Sequence, residues 1–494
     1  MIMATADVLL THSFNMQHDR KQSRKVQPYP PLATLYAAAT LRAYGISTAV
    51  FDSMLQDPYL YFQDALDNCR PRLVAVYEDD FNFLSKMCLT RMREISFYIA
   101  KAAARTGAIV VAHGSDATDH AEQYLQNGFH YVLVGEAEQS LREISGRLLA
   151  AEPCDDVAGL AFLRQGTAGP QYTIARKRSG MDELPSPALD LIDIAGYRRN
   201  WREAHGYFSL NLIASRGCPY RCNWCAKPVF GNSFSLRSPA RVAEEMHELT
   251  SRYGAEHLWF ADDVFALNRR WTEDFAQAVE DRGCVVPFKV QSRADLMHEQ
   301  TVSALRRAGC NEVWMGVESG SQKVLDAMDK GLRVETVMRA TERLRNAGIK
   351  ACFFLQFGYP GEDLADIMQT IELVRICRPD DIGISITYPL PHTRLYERVR
   401  HQLGAKRNWS DSEDLCTIFQ TAYTGDFYRA IRDALHREAD LWRSGSAAHM
   451  TQDLQQLWQR VAELEPISRN ADPTVLVNDD DGALIWPDEK VVVS

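Results

Sequence analysis

The sequence lacks the features that mark membrane, secreted and nucleic-acid-binding proteins. No apolar run approaches the roughly 18 residues that a membrane-spanning helix needs, and the opening MIMATAD has neither the charged start nor the apolar stretch of a secretory signal. The formal net charge of −10 leaves no basic excess, and no stripe of lysine and arginine is present. We therefore expect a cytoplasmic protein that does not act on nucleic acid.

Paired cysteines are also missing from most of the chain. Eight of the eleven cysteines are scattered without regular spacing: Cys69, Cys88, Cys154, Cys284, Cys310, Cys352, Cys377 and Cys416. Isolated cysteines of this kind are typical of reduced thiols in protein cores. The other three, Cys218, Cys222 and Cys225, stand together in the segment SRGCPYRCNWCA at residues 215–226.

The length and the order of apolar segments predict several α/β domains. A chain of 494 residues with 46% hydrophobic and 24% charged residues is ordinary for a globular protein of two or three domains. Five short apolar strands alternate with amphipathic helices up to about residue 150, which predicts a doubly wound, Rossmann-like parallel sheet. The strands are expected at 8–12, 48–51, 73–77, 109–112 and 131–134, and the helices include 32–44 and 96–105.

The second half repeats this alternation six times. After a linker with a short hairpin at 160–163 and 172–174, strands are expected at 208–214, 257–261, 288–291, 312–317, 351–357 and 382–387. Six strand-helix units are too few for a complete eightfold barrel, so we predict a partial barrel with its functional groups at the carboxyl ends of the strands. The predicted domains are 1–154, a linker at 155–205, the partial barrel at 206–402, and a helical region with a loosely held tail at 403–494.

The cysteine triad predicts a metal centre. Three thiolates can bind three irons of a cubane iron-sulfur cluster, which leaves the fourth iron open to a small molecule. A structural zinc site is an alternative, but it needs a fourth ligand, and neither His205 nor His247 continues a zinc spacing. An incidental cluster of cysteines is the remaining alternative.

The cysteine loop resembles the cluster loop of the radical S-adenosylmethionine (SAM) superfamily. The shared pattern is C-x-x-x-C-x-aromatic-C, with Trp224 as the aromatic residue. The resemblance implies that the open iron of a 4Fe-4S cluster binds SAM, and that one electron from the cluster cleaves SAM to methionine and a 5′-deoxyadenosyl radical. It also implies an electron donor such as flavodoxin or ferredoxin as a partner. The cofactors supply the reactivity in such enzymes, and the protein supplies position.

Residues at the ends of later strands resemble SAM-contacting motifs of the same superfamily. Asp262 and Asp263 resemble the Asp-Asp-x-Phe variant of its cobalamin-dependent branch and are expected to accept hydrogen bonds from the SAM ammonium; the alternative is that they cap the next helix. Arg293 is expected to pair with the SAM carboxylate, and Glu318 with the ribose. Gly358 belongs to a turn that resembles the adenine-lining turns of the family.

The first domain resembles the cobalamin-binding domain that precedes many radical SAM cores. The resemblance is carried by PPLATLY at 30–36, HGSDAT at 113–118 and YVLVGEAE at 131–138, where Gly114 and Gly135 are expected to let the backbone approach the corrin. The motif Asp-x-His-x-x-Gly is absent, so no axial histidine is expected. The acidic segment YEDDF at 77–81 is expected to be a solvated loop.

Together these resemblances imply a cobalamin-dependent radical SAM enzyme over about residues 5–400. The expected activity is methyl transfer to an unactivated carbon of a small molecule, through methylcobalamin and a substrate radical. The alternatives are a non-methylating cyclisation or rearrangement, a radical SAM core whose first domain holds no cobalamin, and a binding protein stabilised by zinc. No catalytic side chain is assigned from the sequence.

Overall fold

The structure is a computed structural model that describes residues 5–178, 180–444 and 451–474, and the backbone of 477–478 and 484–485. Two sheets form its two halves, and the helices pack around them. Within the described residues, no helix combines the length and the apolar character that crossing a membrane requires.

The first half is built on a sheet of seven strands in the order β2-β1-β3-β4-β5-β6-β7. Its strands are β1 (Val8–Thr11), β2 (Thr48–Phe51), β3 (Leu73–Tyr77), β4 (Ile109–His113), β5 (Tyr131–Leu133), β6 (Leu160–Phe162) and β7 (Gln171–Tyr172). Its helices are α1 (Arg20–Lys25), α2 (Leu32–Ala43), α3 (Pro58–Cys69), α4 (Phe83–Lys86), α5 (Thr90–Arg105), α6 (Ser115–Asp119), α7 (Ala121–Gln126) and α8 (Glu138–Leu149). The first five strands are parallel, which confirms the predicted doubly wound sheet.

The hairpin that the sequence placed in a linker extends this first sheet. Strand β6 pairs antiparallel with β5, with Val132 opposite Ala161, and β7 pairs antiparallel with β6. The hairpin therefore closes one edge of the sheet that precedes it in the chain, because its backbone groups complete the ladder that β5 would leave open.

The second half is a sheet of six parallel strands in the order β15-β14-β13-β12-β11-β8, which confirms the predicted partial barrel. Its strands are β8 (Ser209–Leu212), β11 (His257–Phe260), β12 (Phe288–Ser292), β13 (Cys310–Glu318), β14 (Lys350–Phe357) and β15 (Asp381–Ile386); β9 (Ser215–Arg216) and β10 (Ser235–Leu236) form a small antiparallel pair. The helices are α9 (Ile194–His205), α10 (Pro239–Ser251), α11 (Arg269–Asp281), α12 (Glu299–Ala308), α13 (Gln322–Ala327), α14 (Val334–Asn346), α15 (Leu364–Cys377) and α16 (Arg394–Val399).

The barrel strands bury one face against helices and turn the other toward a lumen. Burial alternates along β12 and β15, where every second residue is buried and the residues between are partly exposed. The buried set packs into one continuous apolar cluster with the surrounding helices. The partly exposed set, which includes Lys289, Gln291, Gly383 and Ser385, lines the concave side of the sheet, as expected for strands whose side chains point alternately to the two faces.

Segments from both ends of the chain pack beside the open side of the barrel. Trp201 Nε1 donates to the carbonyl of Pro28 at 2.6 Å, and Asn211 Nδ2 in β8 donates to that of Pro30 at 2.9 Å. From the C-terminal region, the Ser412 hydroxyl and backbone N–H both donate to Asp19, at 2.6 and 2.9 Å. The lumen is thus bounded by residues that are far apart in the sequence.

The C-terminal region is helical, as predicted, with α17 (Gly425–Arg443) and α18 (Gln452–Ile467), and it contains a short pair β16 (Val477–Asn478) and β17 (Leu484–Ile485). Helix α17 packs against β15. Most of the tail that the sequence predicted to be loosely held lies outside the described residues. The eight scattered cysteines are free thiols, seven buried and Cys416 partly exposed, which confirms the expectation of unpaired cysteines.

Candidate active site at the carboxyl ends of the barrel strands

The cysteine loop begins directly after the first barrel strand. Gly217 precedes it with φ of +78°, and a Cβ there would lie 2.3 Å from the carbonyl oxygen of Ser233, so only glycine fits. Lys227 holds the loop from its other end, because its ammonium donates to the carbonyl of Cys218 at 2.9 Å and to that of Tyr220. The loop is therefore fixed by its backbone at the rim where the site was predicted.

The three thiols are free and each is partly exposed. Burial raises the pKa of Cys218, and it raises the pKa of Cys225 to about 12, so a metal is needed to bring these groups to the thiolate form. Their donor set fits a cubane cluster, since three sulfurs and no fourth ligand come from one loop. Among the described residues, no group of three or more metal-binding side chains is already gathered as a ready-made metal site.

Asn223 and Tyr220 tie the cysteine loop to the barrel. Asn223 Nδ2 donates to the carbonyl of Ala327 at 2.7 Å, and its Oδ1 accepts from the Tyr359 hydroxyl at 2.7 Å. The Arg293 guanidinium lies 3.8 Å from the centre of the Tyr220 ring. These contacts place the loop over the carboxyl ends of β12 and β14, beside the end of helix α13.

Arg293 and Glu318, both predicted to contact SAM, already have protein partners. Arg293 Nε donates to Asp295 at 2.9 Å and its Nη2 donates to the carbonyl of Lys330 at 2.9 Å. Glu318 accepts from Lys330 Nζ at 2.7 Å, and both of these residues are buried. Although burial opposes the charge, Glu318 holds the pKa of Lys330 above its usual value. The SAM contacts of Arg293 and Glu318 stay predictions, and Lys330 joins the two residues.

Glu318 has a strained backbone. Its φ is +64°, which is costly for a residue with a side chain. A Cβ on the neighbouring Gly316 would lie 2.8 Å from Glu318 Oε1 and 2.9 Å from Lys330 Nζ. A Cβ at position 316 would therefore displace the ion pair that crosses the end of β13.

Asp262 and Asp263 do not cap the next helix, so that alternative is wrong. The N-cap of α11 is Asn268, whose side chain accepts from the backbone N–H of Trp271 at 3.1 Å. Asp262 is buried and accepts from the Ala214 N–H at 3.0 Å and from the Ser215 hydroxyl, and burial raises its pKa to about 7. It therefore holds the chain between β8 and the cysteine loop, and its predicted contact with the SAM ammonium stays untested.

Asp263 forms an ion pair with Lys86, which comes from the first half of the chain. Both side chains are largely shielded from solvent. Burial opposes the charge on Lys86, but Asp263 holds the pKa of the ammonium above its usual value. Asp263 thus joins the barrel rim to helix α4, a contact that the sequence did not predict.

Gly358 lies in the turn that resembles an adenine-lining segment. The Gly358 N–H donates to Glu362 Oε2 at 2.6 Å, and burial raises the pKa of Glu362 to about 8. Gly358 has φ of +78°, a conformation that favours glycine. The contact of this turn with SAM stays a prediction.

The acidic segment of the first domain is buried, so the prediction of a solvated loop is wrong. Glu78, Asp79 and Asp80 are 6%, 7% and 1% exposed. Glu78 accepts from the Ser13 N–H at 3.1 Å, and Asp80 accepts from the Ser115 N–H and hydroxyl at 3.0 Å. The sequence pattern did not indicate this burial, because the N–H groups that donate to the three carboxylates come from distant parts of the chain.

Several buried polar atoms at the carboxyl edge of the first sheet make no hydrogen bond to another described residue. They are Ser13 Oγ and Thr118 Oγ1, together with Asp80 Oδ2 and His113 Nδ1, which face each other at 3.4 Å. Buried polar atoms without hydrogen bonds are costly, and in parallel sheets this edge is where ligands bind. The donors and acceptors present therefore fit a polar cofactor such as cobalamin.

The two glycines predicted to face the corrin differ in their surroundings. Gly114 has φ of +134°, and a Cβ there would lie 2.7 Å from Glu78 Cβ, so the Glu78 side chain already explains the glycine. Gly135 has φ of +77° and no atom closer than 4.0 Å to the position of a Cβ, which leaves open space beside its backbone. Cobalamin contact by either glycine stays a prediction.

Arg216, next to the cysteine loop, joins that loop to the first sheet. Its guanidinium pairs with Glu136 Oε2 at 3.3 Å and with Glu138, and it lies beside the stacked Phe81 and Phe230 rings, 5.5 and 5.4 Å from their centres. All of these residues except Glu136 are almost fully buried. Glu136 and Glu138 belong to the segment at 131–138 that resembles the cobalamin-binding domain, and the sequence predicted no role for them. No local sequence pattern indicated Arg216 as their partner.

Comparison with known proteins identifies the barrel domain. Residues 212–374 match the family model of the radical SAM superfamily, so the chain carries a radical SAM domain and the predicted resemblance is confirmed. An uncharacterized methyltransferase of Pyrococcus horikoshii is 28% identical over 283 residues, which are 56% of this chain and 60% of that protein. An anaerobic magnesium-protoporphyrin IX monomethyl ester cyclase of Rubrivivax gelatinosus is 24% identical over 400 residues, 78% of this chain and 68% of the relative.

Solved structures share the two-part fold. The radical SAM methyltransferase TsrM from Kitasatospora setae, solved with cobalamin and a [4Fe-4S] cluster bound, matches with a TM-score of 0.67 at 18% identity over 81% of this chain and 79% of its own. The cobalamin-dependent radical SAM enzyme OxsB, solved with aqua-cobalamin and SAM bound, matches with a TM-score of 0.70 at 15% identity over 94% of this chain and 71% of its own. This chain therefore has the fold of cobalamin-dependent radical SAM enzymes.

Proposed function

We propose that this chain is a cobalamin-dependent radical SAM enzyme that transfers a methyl group to an unactivated carbon of a small molecule. The observation that carries the proposal is the three-cysteine loop at the rim of a radical SAM domain, facing a first domain of the cobalamin-binding fold. Bound in these places, a 4Fe-4S cluster would supply the electron that cleaves SAM, and cobalamin would carry the methyl group.

The residues of the chain would position these groups. Cys218, Cys222 and Cys225 would hold the cluster and leave one iron open. The contact of Arg293 with Tyr220 fixes the loop against the strand ends, where SAM is expected. The Lys86–Asp263 ion pair joins the first half of the chain to this rim, so the two cofactors would lie on opposite sides of one space. Enclosure of that space would keep water from a reactive radical.

A second candidate is a radical cyclisation without methyl transfer. The relative in Rubrivivax gelatinosus that matches over 78% of this chain is named a cyclase, whereas the one in Pyrococcus horikoshii is named a methyltransferase. Both reactions would need the same cluster and the same cleavage of SAM. They differ in whether the methyl carbon of SAM enters the product.

Anaerobic reconstitution tests the proposal. The wild-type protein should gain iron-sulfur absorbance, retain added cobalamin on gel filtration, and form 5′-deoxyadenosine when it is given SAM and a reductant. Replacing all three loop cysteines by alanine should abolish the absorbance and the cleavage. The matched control is Cys416→Ala, which removes a partly exposed thiol outside the loop and should keep both.

Three results would contradict the proposal. A protein that binds zinc but no iron would support the zinc-stabilised alternative. A protein that forms the cluster but does not retain cobalamin would support a radical SAM core whose first domain holds no cobalamin. Unlabelled product formed from SAM with a deuterated methyl group would support the cyclisation instead of methyl transfer.

A further inference from the structure

The concave face of the barrel carries a lysine that forms no ion pair with another residue of the described ranges. Lys289 is the second residue of β12 and lies near the amino end of the strand, away from the cysteine loop. Its ammonium lies 5.5 Å from the centre of the Tyr29 ring and 5.7 Å from that of Trp259. Within the described ranges, the ammonium makes no ion pair and no hydrogen bond to another residue.

Lys25, the last residue of helix α1, is within electrostatic range of Lys289, Asp381 and Asp19, and it is exposed to solvent. Lys21 in the same helix is within range of Lys25, Arg432, Asp19 and Glu413. Burial lowers the pKa of Lys289.

The two carboxylates that act on Lys289 have other donors. Glu312, opposite Lys289 in the register of β12 and β13, accepts from the Trp314 indole N–H at 2.6 Å. Asp381, the first residue of β15, accepts from Arg443 at 2.8 Å. In the part of the chain that the structure describes, neither carboxylate forms an ion pair with any of the three lysines.

The wall of the lumen beside these lysines is aromatic. The rings of Tyr29 and Trp259 lie 4.7 Å apart, and those of Trp314 and Phe354 are stacked at 4.7 Å. Trp259, Trp314 and Phe354 are partly exposed although they sit within strands. Such surfaces bind flat apolar groups through their faces.

We propose that Lys289, at the base of the lumen, binds the anionic group of the substrate, a carboxylate or a phosphate. The inference rests on the proposed function, because it takes the lumen to be the substrate site. A shielded ammonium without a partner is unfavourable, and an anion that enters the lumen removes this cost by forming charge-assisted hydrogen bonds.

The position of Lys289 also sets the shape of the substrate. Strand β12 ends at Ser292, three residues after Lys289, which corresponds to a rise of about 10 Å toward the cysteine loop. A substrate that places its anion at Lys289 and its reacting carbon at the rim must therefore be about that long. The aromatic wall between the two ends favours a planar apolar middle section.

Matched probes test this site without knowledge of the natural substrate. The probes are 2-naphthylacetate, 2-naphthyl phosphate and the neutral 2-(2-naphthyl)ethanol, and their binding to the full-length protein is measured by calorimetry. The tighter of the two anions should bind at least about tenfold more tightly than the alcohol, as charge-assisted hydrogen bonds predict. The anion that binds better identifies the group, and either order supports the site.

Substitutions at Lys289 assign the preference to this residue. Lys289→Met should remove the preference for the anion and leave the affinity for the alcohol, whereas Lys289→Arg should keep the preference. The control is Lys101→Met, which removes an exposed lysine on α5 and should change neither. Equal binding of the three probes, or a preference that survives Lys289→Met, would overturn the inference.

A measurement on the wild-type protein avoids any dependence on the folding of the variants. Acetylation of Lys289 by a pulse of acetic anhydride, followed by mass spectrometry, should be slowed by the anionic probe and not by the alcohol. Cleavage of SAM by the same preparation is measured in parallel. If SAM is not cleaved but the anionic probe still protects Lys289 from acetylation, only the proposed function is contradicted. If SAM is cleaved but the probe gives no protection, only this inference is contradicted.

Discussion

Removal of the Arg216 guanidinium should destabilise the junction between the cysteine loop and the first sheet. Arg216→Met keeps most of the apolar stem but leaves Glu138, which is less than a tenth exposed, without its cationic partner, whereas Glu136 keeps its ion pair with Arg178 at 3.1 Å. Breaking a buried ion pair from one side costs about 3–5 kcal/mol, because the remaining charge stays buried. The two ring contacts of the guanidinium are lost as well.

The expected loss is measurable as a shift in melting temperature. An unfolding entropy of about 2 cal/mol/K per residue gives roughly 1 kcal/mol/K for a chain of 494 residues that unfolds as one unit. Arg216→Met should therefore lower the melting temperature by about 3–5 °C. If the two halves unfold separately, the shift of the affected half is larger, and calorimetry resolves the two transitions.

The control for Arg216 is an exposed ion pair. Arg252 pairs with Glu248 at 2.9 Å on the surface of α10, and Arg252→Met should cost less than about 0.5 kcal/mol. Adding Glu138→Gln to Arg216→Met should recover part of the loss, because one buried charge is removed. A melting temperature for Arg216→Met within 1 °C of that of the Arg252 variant would refute the view that this network holds the loop.

Three further perturbations follow from buried groups near the site. Burial raises the pKa of Glu362 from 4.5 to about 8, so between these pH values the folded state holds a proton that the unfolded state has lost. The stability of the wild-type protein therefore falls as the pH rises from 4.5 to about 8. Glu362→Gln does not titrate, so its melting temperature relative to that of the wild type should rise over the same interval. Gly383→Ala would place a Cβ 3.0 Å from a lumen aromatic ring and should cost about 1–3 kcal/mol in urea unfolding, whereas Gly404→Ala, which meets no atom within 4 Å, should cost far less. Lys86→Met should destabilise by about 1–3 kcal/mol by leaving Asp263 unpaired, and a variant as stable as wild type would show that this ion pair does not support the rim.

The periodic parts of the fold were predictable from the sequence because each strand and helix buries an apolar face of its own. All five parallel strands of the first sheet and all six of the barrel lie within a few residues of their predicted positions. Helix α5 begins six residues before its predicted start, since the N–H groups of Thr90 and Arg91 donate to the carbonyls of Trp409 and Ser410. A helix end that is satisfied by a segment more than 300 residues away has no local signal.

The candidate site likewise has a part that was predictable from the sequence and a part that was not. The cysteine loop and the strand-end motifs were visible because a metal and a cofactor require fixed residue types at fixed spacing. The ion pairs Lys86–Asp263, Lys330–Glu318 and Arg216–Glu138 were not visible, because each joins residues that only the tertiary fold brings together. The burial of Glu78, Asp79 and Asp80 was missed for the same reason.

The lumen is built from more of the chain than the radical SAM domain. The family match covers residues 212–374, which supply Lys289, Trp259 and the stacked aromatic pair. Tyr29, Lys21 and Lys25 come from the first half of the chain, and Asp381 lies beyond the matched range. Because Tyr29 and Lys25 come from outside that range, two chains can share the cluster loop and the fold and still differ at the base of the lumen. If Lys289 binds the substrate anion as proposed, an exchange of residues 19–31 between relatives should change the anion preference without changing the cysteine loop.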